Sequence, residues 1–390
     1  MFVIESSKTE GGKKILRYGM VGGGEGSFIG DVHRKAAAFD GKCQLVAGCF
    51  SRDYSNTLKT GESLGITSER LYKSFGEMAV NEAQKEDKPD FISIVAQNNL
   101  HCECAKAFLE QGFHVVCEKP LTFEVGQAEE LQKLARDKEL LFCVMYSYSG
   151  YPLIKQARRL VSDGKLGDIL MVMGEYPQDW LITALEKEDQ KQAAWRTDPK
   201  QAGLSNCTGD IGSHIEHMVS YITGLKIDSL CAKLDIIGEG RTLDTNSSII
   251  LRFNNGATGV YWSSQIAIGN DNALKVRIYG TKGAIEWSQE EPNVMKVTYA
   301  GEPVQLLHRG HSYLNPAAAS RIPSGHTEGY YEAFANIYNK FASALLKKKE
   351  GHALTEEDLD FPDIAAGVDG VKFVNSAVKS SEAGAVWVKL

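Results

Sequence analysis

The sequence predicts two units of different class. Residues 1–145 read as an α/β unit on a parallel sheet, and residues 146–390 as an α+β unit with a large, mostly antiparallel open sheet. Three observations carry this. Residues 15–21 form an apolar run that enters a glycine-rich turn and continues into a helical pattern. Short apolar runs then alternate with helical segments of roughly 10–15 residues as far as Met145, the signature of βαβ units. From Ser229 to Thr298 alternating stretches follow one another without helices, joined by turns such as Asn254-Asn255-Gly256 and Gly280-Thr281-Lys282-Gly283.

The first strand runs into Gly22-Gly23-Gly24-Glu25-Gly26-Ser27-Phe28-Ile29-Gly30, and a helix follows through His33, Ala36, Ala37 and Phe39. Gly22 and Gly24 let the backbone turn tightly and approach a pyrophosphate, whose charge sits well at a helix N-terminus. Gly26, Phe28 and Ile29 complete this candidate cofactor loop. The spacing is longer than the plain dinucleotide fingerprint, with five residues between Gly24 and Gly30. A glycine-rich turn can also serve structure alone; its place between a strand and a helix is what makes the first unit a Rossmann-type candidate.

The second strand, residues 43–50, ends at Ser51-Arg52-Asp53, where a dinucleotide's ribose is read. An acid there favours NAD, whereas Ser51 and Arg52 can hold the 2′-phosphate of NADP. Arg52 as a plain surface-turn residue is the alternative, so the expected cofactor is NAD or NADP. Residues 89–96 form a further apolar strand that enters Gln97-Asn98-Asn99-Leu100-His101. The run Val115-Val116-Cys117 must finish by Lys119, because Pro120 has no amide hydrogen for a central ladder. Ligands bind at the carboxyl ends of parallel strands, which puts Glu118 and Lys119 at a cofactor crevice. A solvated strand-end lysine is the alternative.

Composition limits the function classes. With 390 residues, 43% hydrophobic and 24% charged, the chain has apolar mass for two cores. A formal charge of −7 and no basic run longer than Lys347-Lys348-Lys349 argue against a nucleic-acid partner. No apolar stretch approaches the roughly 18 residues of a membrane span, and the polar N-terminus carries no secretory pattern. Eight scattered cysteines lack metal-knuckle spacing, so no metal is expected. A cytoplasmic location is expected.

In the second unit a helix (residues 153–163) and a strand (169–175) precede a polar loop with Trp180, Trp195 and Arg196. The motif Gly209-Asp210-Ile211-Gly212-Ser213-His214 then places an acid and an imidazole at i and i+4, on one face if a helix starts there. An imidazole with an ordinary pKa near 6.5 suits proton transfer, and a carboxylate alongside can fix its tautomer and raise its pKa. A capping aspartate with a surface histidine is the alternative. Helices over about 328–346 and 364–380 close the chain.

The glycine turn with Ile29-Gly30-Asp31-Val32-His33, Asn98-x-x-His101, Glu118-Lys119-Pro120, Trp195-Arg196 and Asp210-x-Gly212-x-His214 together resemble the Gfo/Idh/MocA family of sugar and inositol dehydrogenases, over nearly the whole chain. The enlarged glycine loop, Ala96-Gln97 before Asn98, and Gly203-Leu204-Ser205-Asn206 before the Asp210 motif depart from the family pattern. The resemblance implies Lys119, Asp210 and His214 as the catalytic set. It implies a cofactor site at Gly22, Gly24, Gly26, Phe28, Ile29, Ser51, Arg52, Gln97, Asn98, His101, Glu118 and Lys119. Tyr148, Trp195, Arg196, Asn206 and His326, with Lys119 and His214, are the substrate-side candidates, a set of hydrogen-bonding and flat side chains that suits a sugar or cyclitol. The expected activity is hydride transfer between a nicotinamide and a secondary hydroxyl. Transient oxidation that cleaves a glycoside and a non-catalytic sensor are the rivals. A sheet face left bare of helices calls for a partner copy, so a homo-oligomer, dimer or tetramer, is expected.

Overall fold

A computed structural model describes residues 14–183 and 199–390. Five parallel strands build the first sheet: β1 (Leu16–Gly22), β2 (Cys43–Cys49), β3 (Phe91–Val95), β4 (His114–Cys117) and β5 (Phe142–Val144), in spatial order β2-β1-β3-β4-β5. The strands are short and apolar because helices cover both faces, so β3 is buried at every residue. Chain order reverses between β1 and β3, and a crevice opens at their carboxyl ends at such a switch point. The covering helices are α1 (Phe28–Ala38), α2 (Tyr54–Ser63), α3 (Phe75–Ala83), α4 (His101–Glu110) and α5 (Val125–Asp137). Helices α2 and α3 lie between β2 and β3, where the sequence pattern marks none.

The second sheet has nine strands in the order β13-β12-β11-β10-β6-β9-β8-β7-β14. They are β6 (Ile169–Pro177), β7 (Ile227–Asp235), β8 (Asn246–Phe253), β9 (Thr258–Ser264), β10 (Lys275–Gly280), β11 (Gly283–Ser288), β12 (Val294–Tyr299), β13 (Gln305–His308) and β14 (Val388–Lys389). Pairing is antiparallel except between β6 and β9. Period-2 burial along β8 and β11 sends one face into the core, where α6 (Pro152–Ser162) and α7 (Ser213–Thr223) pack. The edge strands β13 and β14, of 4 and 2 residues, are too short to show a period in the sequence.

Two helices from the end of the chain knit the units together. Helix α8 (Tyr330–Lys349) puts Phe334, Ile337, Tyr338 and Phe341 into the core beneath β1 and β3 of the first sheet. Helix α9 (Ile364–Glu382) contributes Val368 and Val371 to the core on the other face of that sheet, and Phe373 and Ala377 to the core of the second. No described helix is long and apolar enough to cross a membrane, and the eight cysteines are all unpaired thiols.

Burial leaves several titratable groups in unusual states. Desolvation lowers His101, His114, His214 and His217 below the ordinary histidine value, with His114 at about 4 and His217 at about 3. In the unfolded chain these rings protonate near pH 6.5, so acid favours unfolding. Glu216 works the other way: burial raises it to about 8, and the fold holds a proton that the unfolded chain sheds above its ordinary value of 4.5. Four protons gained on unfolding outnumber one released. Stability should therefore fall as pH drops from about 6.5 toward 4.5, read as a lower urea midpoint at pH 5 than at pH 7. A midpoint that rises instead would give control to Glu216.

Candidate active site

A cleft of about 760 Å³ follows the carboxyl ends of β1, β3 and β4 and continues over α7 of the second unit. Its floor at one end is the glycine loop. Gly22 has φ +79°, and a Cβ there would lie 2.7 Å from the Ala96 nitrogen, so only glycine lets the loop approach β3. Gly30 touches the loop from α1: a Cβ on it would meet the Gly23 Cα at 2.3 Å. Ser27 caps α1, its Oγ accepting from the Gly30 amide at 3.2 Å. The extra loop residues are tied down, with the Glu25 amide donating to Thr60 Oγ1 at 2.9 Å. Gly22, Gly24, Gly26, Phe28 and Ile29 all line the cleft.

At the end of β2, Ser51 and Arg52 line the cleft and Asp53 does not. Asp53 caps α2 instead, taking the Ser55 amide at 2.9 Å and the Ser55 hydroxyl at 2.8 Å on Oδ1. Arg52 reaches across to Gln97, donating from Nη2 to Oε1 at 3.2 Å. Lys73 and Ser74, which precede α3, line the same region, and nothing in the sequence motifs points to them. Gln97 and Asn98 line the cleft as well.

At the other end stands Lys119, set by the chain behind it. The Glu118 carboxylate accepts the Lys119 amide on Oε2 at 3.0 Å and lies 2.8 Å from His33 Nε2 on Oε1. His33 Nδ1 is 2.7 Å from the Tyr338 hydroxyl, itself 2.8 Å from Ser93 Oγ. Burial pushes the Glu118 carboxyl up, but His33 and Lys119 outweigh it and hold the group below its usual range. From there Lys119 Nζ donates to Asp210 Oδ1 at 2.8 Å and to the Asp210 carbonyl at 2.9 Å.

Asp210 sits in a π-helical turn (Thr208–Gly212) ahead of α7, a wider coil than the regular helix the spacing suggests. Its carboxylate also accepts from Gln265 Nε2 on Oδ2 at 3.2 Å. His214 is 7% exposed and lines the cleft, with the rings of Tyr148, Tyr146 and Tyr176 at 4.7, 5.8 and 6.3 Å. Its Nδ1 is buried with no hydrogen-bond partner, so the carboxylate expected to fix its tautomer there turns to Lys119 and Gln265 instead. Burial, then Lys119, lowers the His214 pKa well below the ordinary value, and Asp210 raises it less. The expected elevation does not occur.

Three of the residues singled out from sequence stand elsewhere. His101 is fully buried behind the cleft, with Nδ1 2.7 Å from the Pro120 carbonyl and Nε2 3.1 Å from that of Ala96. It ties the ends of β3 and β4 together. Asn206 is buried beneath the π turn, donating from Nδ2 to Gln265 Oε1 at 2.6 Å and to the Asp244 carbonyl at 3.2 Å. His326 is exposed on a loop folded around Arg309, which takes its carbonyl and not its imidazole. Trp195 and Arg196 lie outside the described residues. Tyr148 lines the cleft, together with Tyr176, Gln178, Asn272 and Tyr330. Of these, Tyr176 and Gln178 stand on or beside β6, and Asn272 comes from the turn before β10; a strand-end position was the available signal.

Two family models match in register with these units: an oxidoreductase family with an NAD-binding Rossmann fold over residues 16–146, and the GFO/IDH/MocA C-terminal domain over 154–286. The chain belongs to the Gfo/Idh/MocA oxidoreductase family. Among Gfo/Idh/MocA relatives, the oxidoreductase YfiI of Bacillus subtilis (strain 168) is 36% identical over 381 residues, 96% of this chain and 97% of that one. An inositol dehydrogenase homologue from Azotobacter vinelandii, solved with NAD+, superposes with a TM-score of 0.92 at 35% identity, covering 100% of both chains. Levoglucosan dehydrogenase of Pseudarthrobacter phenanthrenivorans is 28% identical over 59% of this chain and 64% of its own. The glycine cradle, which a Cβ would fill, and the capped N-terminus of α1 fit a dinucleotide, and this Gfo/Idh/MocA chain is an NAD-binding oxidoreductase.

Proposed function

We propose that the chain is an NAD(P)-dependent dehydrogenase acting on a secondary hydroxyl of a sugar or cyclitol. The observation that carries this is the Lys119–Asp210 contact of 2.8 Å beside a buried His214, at the far end of the cleft from the glycine loop. An inositol dehydrogenase homologue and a levoglucosan dehydrogenase among its relatives support the substrate class.

A nicotinamide bound here supplies the hydride acceptor. The protein's own residues handle the proton and the charge. His214 is neutral at pH 7 because burial and Lys119 keep its pKa low. With Nδ1 sealed, its open nitrogen is Nε2, which takes the hydroxyl proton. The Lys119 ammonium, held by Asp210, is the group that would steady negative charge on the substrate oxygen. Asp210 thus acts chiefly on the lysine.

Mixing the protein with NAD or NADP and a panel of sugars and inositols should yield reduced cofactor and a ketone product. Glycoside cleavage with no net reduced cofactor would favour transient oxidation, and no turnover at all a sensor. His214→Ala and Lys119→Ala should each lower kcat by about 10²–10⁴-fold. Because His214 must be neutral to act, kcat/KM should rise with pH along a limb whose midpoint lies below the ordinary 6.5. Asp210→Asn should move that limb lower still, since Asp210 is the neighbour that raises the imidazole. An unmoved limb would mean that the titrating base is not coupled to Asp210, and would remove His214 from that role.

The ribose end favours a 2′-phosphate. Two cations, Arg52 and Lys73, line it, while Asp53 is engaged as a helix cap. Arg52→Ala and Lys73→Ala should each weaken NADP by about 1.5–3 kcal/mol more than NAD. Equal losses in titrations with the two cofactors would return Arg52 to a surface role.

The bare face of the second sheet supports assembly. Register aligns Ile250, Val260 and Met173 across β8, β9 and β6, and Ile250 is 46% exposed. The chain forms a dimer or tetramer through this face. Light scattering at micromolar concentration should find no monomer, and Ile250→Lys should release one.

A further inference from the structure

Beside His214 runs a ladder of hydrogen bonds whose direction is fixed from one end. Trp180 starts it: its indole N–H donates to Gln178 Oε1 at 3.0 Å. An indole nitrogen can only donate, so the Gln178 amide cannot be turned around. Its Nε2 therefore faces Asn272, at 2.7 Å from Oδ1. That contact fixes the Asn272 amide in turn, because a flipped Asn272 would set N–H against N–H. The Tyr176 hydroxyl lies 3.3 Å from the same Oδ1 and must donate to it. With its hydrogen so placed, Tyr176 can only accept from the Tyr148 hydroxyl, 2.6 Å away. Burial raises both phenols' pKa values, so each keeps its single hydrogen at neutral pH.

Tyr148 lines the cleft with its ring centroid 4.7 Å from that of His214. Its one hydrogen points along the ladder, and only lone pairs remain for a ligand. We infer that Tyr148 is a specificity-determining acceptor, reading a second substrate hydroxyl next to the carbon being oxidised. Such a site takes a vicinal diol, the pattern of a cyclitol or sugar ring. An analogue with hydrogen there leaves the phenol oxygen unpaired, and one with fluorine sets lone pairs against lone pairs. This inference rests on the reading of the cleft as a polyol dehydrogenase site.

The test compares wild type and Tyr176→Phe on myo-inositol and levoglucosan, with their monofluoro derivatives at the carbon next to the oxidised one. In wild type the hydroxyl compound should exceed the fluoro compound in kcat/KM by about a hundredfold or more, as a site built around a hydrogen bond rejects analogues lacking it. In Tyr176→Phe the Tyr148 hydrogen loses its acceptor and can turn to the fluorine, so the ratio should fall to within about tenfold. The ratio is internal to each protein, and partial loss of folded Tyr176→Phe cancels from it. A ratio near one in wild type, or one unmoved by the substitution, overturns the inference. If neither polyol is oxidised, a substrate from the wider panel and its fluoro derivative take their place; if no polyol is oxidised, the functional reading fails, and neutron diffraction of the protein decides the ladder by itself. Deuterium on Tyr148 Oη directed at Tyr176 sustains it, and deuterium on Tyr176 Oη directed at Tyr148 overturns it.

Discussion

The ion pair between Lys119 and Asp210 is the joint on which the site depends. One partner stands at the end of β4 in the first unit, the other in the π turn before α7 in the second, and Nζ and Oδ1 meet at 2.8 Å. Both side chains are mostly withdrawn from water, with 15% and 18% of their surface exposed. A pair so placed gains from attraction only if geometry is good and remaining lone pairs are satisfied. Each partner is accordingly backed by its own network. Behind Lys119 stand Glu118, His33, Tyr338 and Ser93; behind Asp210 stand Gln265, Asn206 and Asp244.

Chain connectivity reinforces it. Tyr338 comes from α8, far along the sequence from His33, yet the two share the core of the first sheet. Helix α9 places side chains in both cores. Neither unit completes its interior without the last third of the chain, so the cleft between them is held by packing as well as by charge. Asp244 shows the same economy at shorter range: its Oδ1 takes the Ser205 hydroxyl and the Asn206 amide, and its Oδ2 the Thr208 amide and hydroxyl. One buried carboxylate thereby shapes the loop that delivers Asp210.

Periodicity and punctuation made much of this legible in the sequence. Apolar runs such as Phe91–Val95 announce buried parallel strands, and one of them stops at Cys117, ahead of Pro120. Glycines mark the cofactor loop for a steric reason visible at Gly22 and Gly30. Partner choice was not legible. Nothing local tells that Asp53 prefers to cap α2, that His101 turns inward to two carbonyls, or that Asn206 serves Gln265 and not the cleft. The Trp180-to-Tyr148 ladder joins residues from three stretches of chain, and only folding shows that their donors and acceptors alternate. Spacing identifies a face; the far partner decides what the side chain does there.

His214 shows how competing terms are settled by placement. A carboxylate four residues away would be expected to make the imidazole more basic. The ring instead lies among Tyr146, Tyr148 and Tyr176, which strip it of water, and desolvation outweighs the carboxylate. Lys119 adds to the same side, because the ammonium engages Asp210 directly and leaves a positive charge near the ring. In the proposed mechanism the two basic groups thereby divide their work. Lys119 carries the positive charge, His214 stays neutral and free to take a proton, and Asp210 keeps them apart in function by binding one and not the other's buried nitrogen. Had the carboxylate bonded the imidazole, it would have raised the pKa of the ring and left a smaller share of it neutral at a given pH.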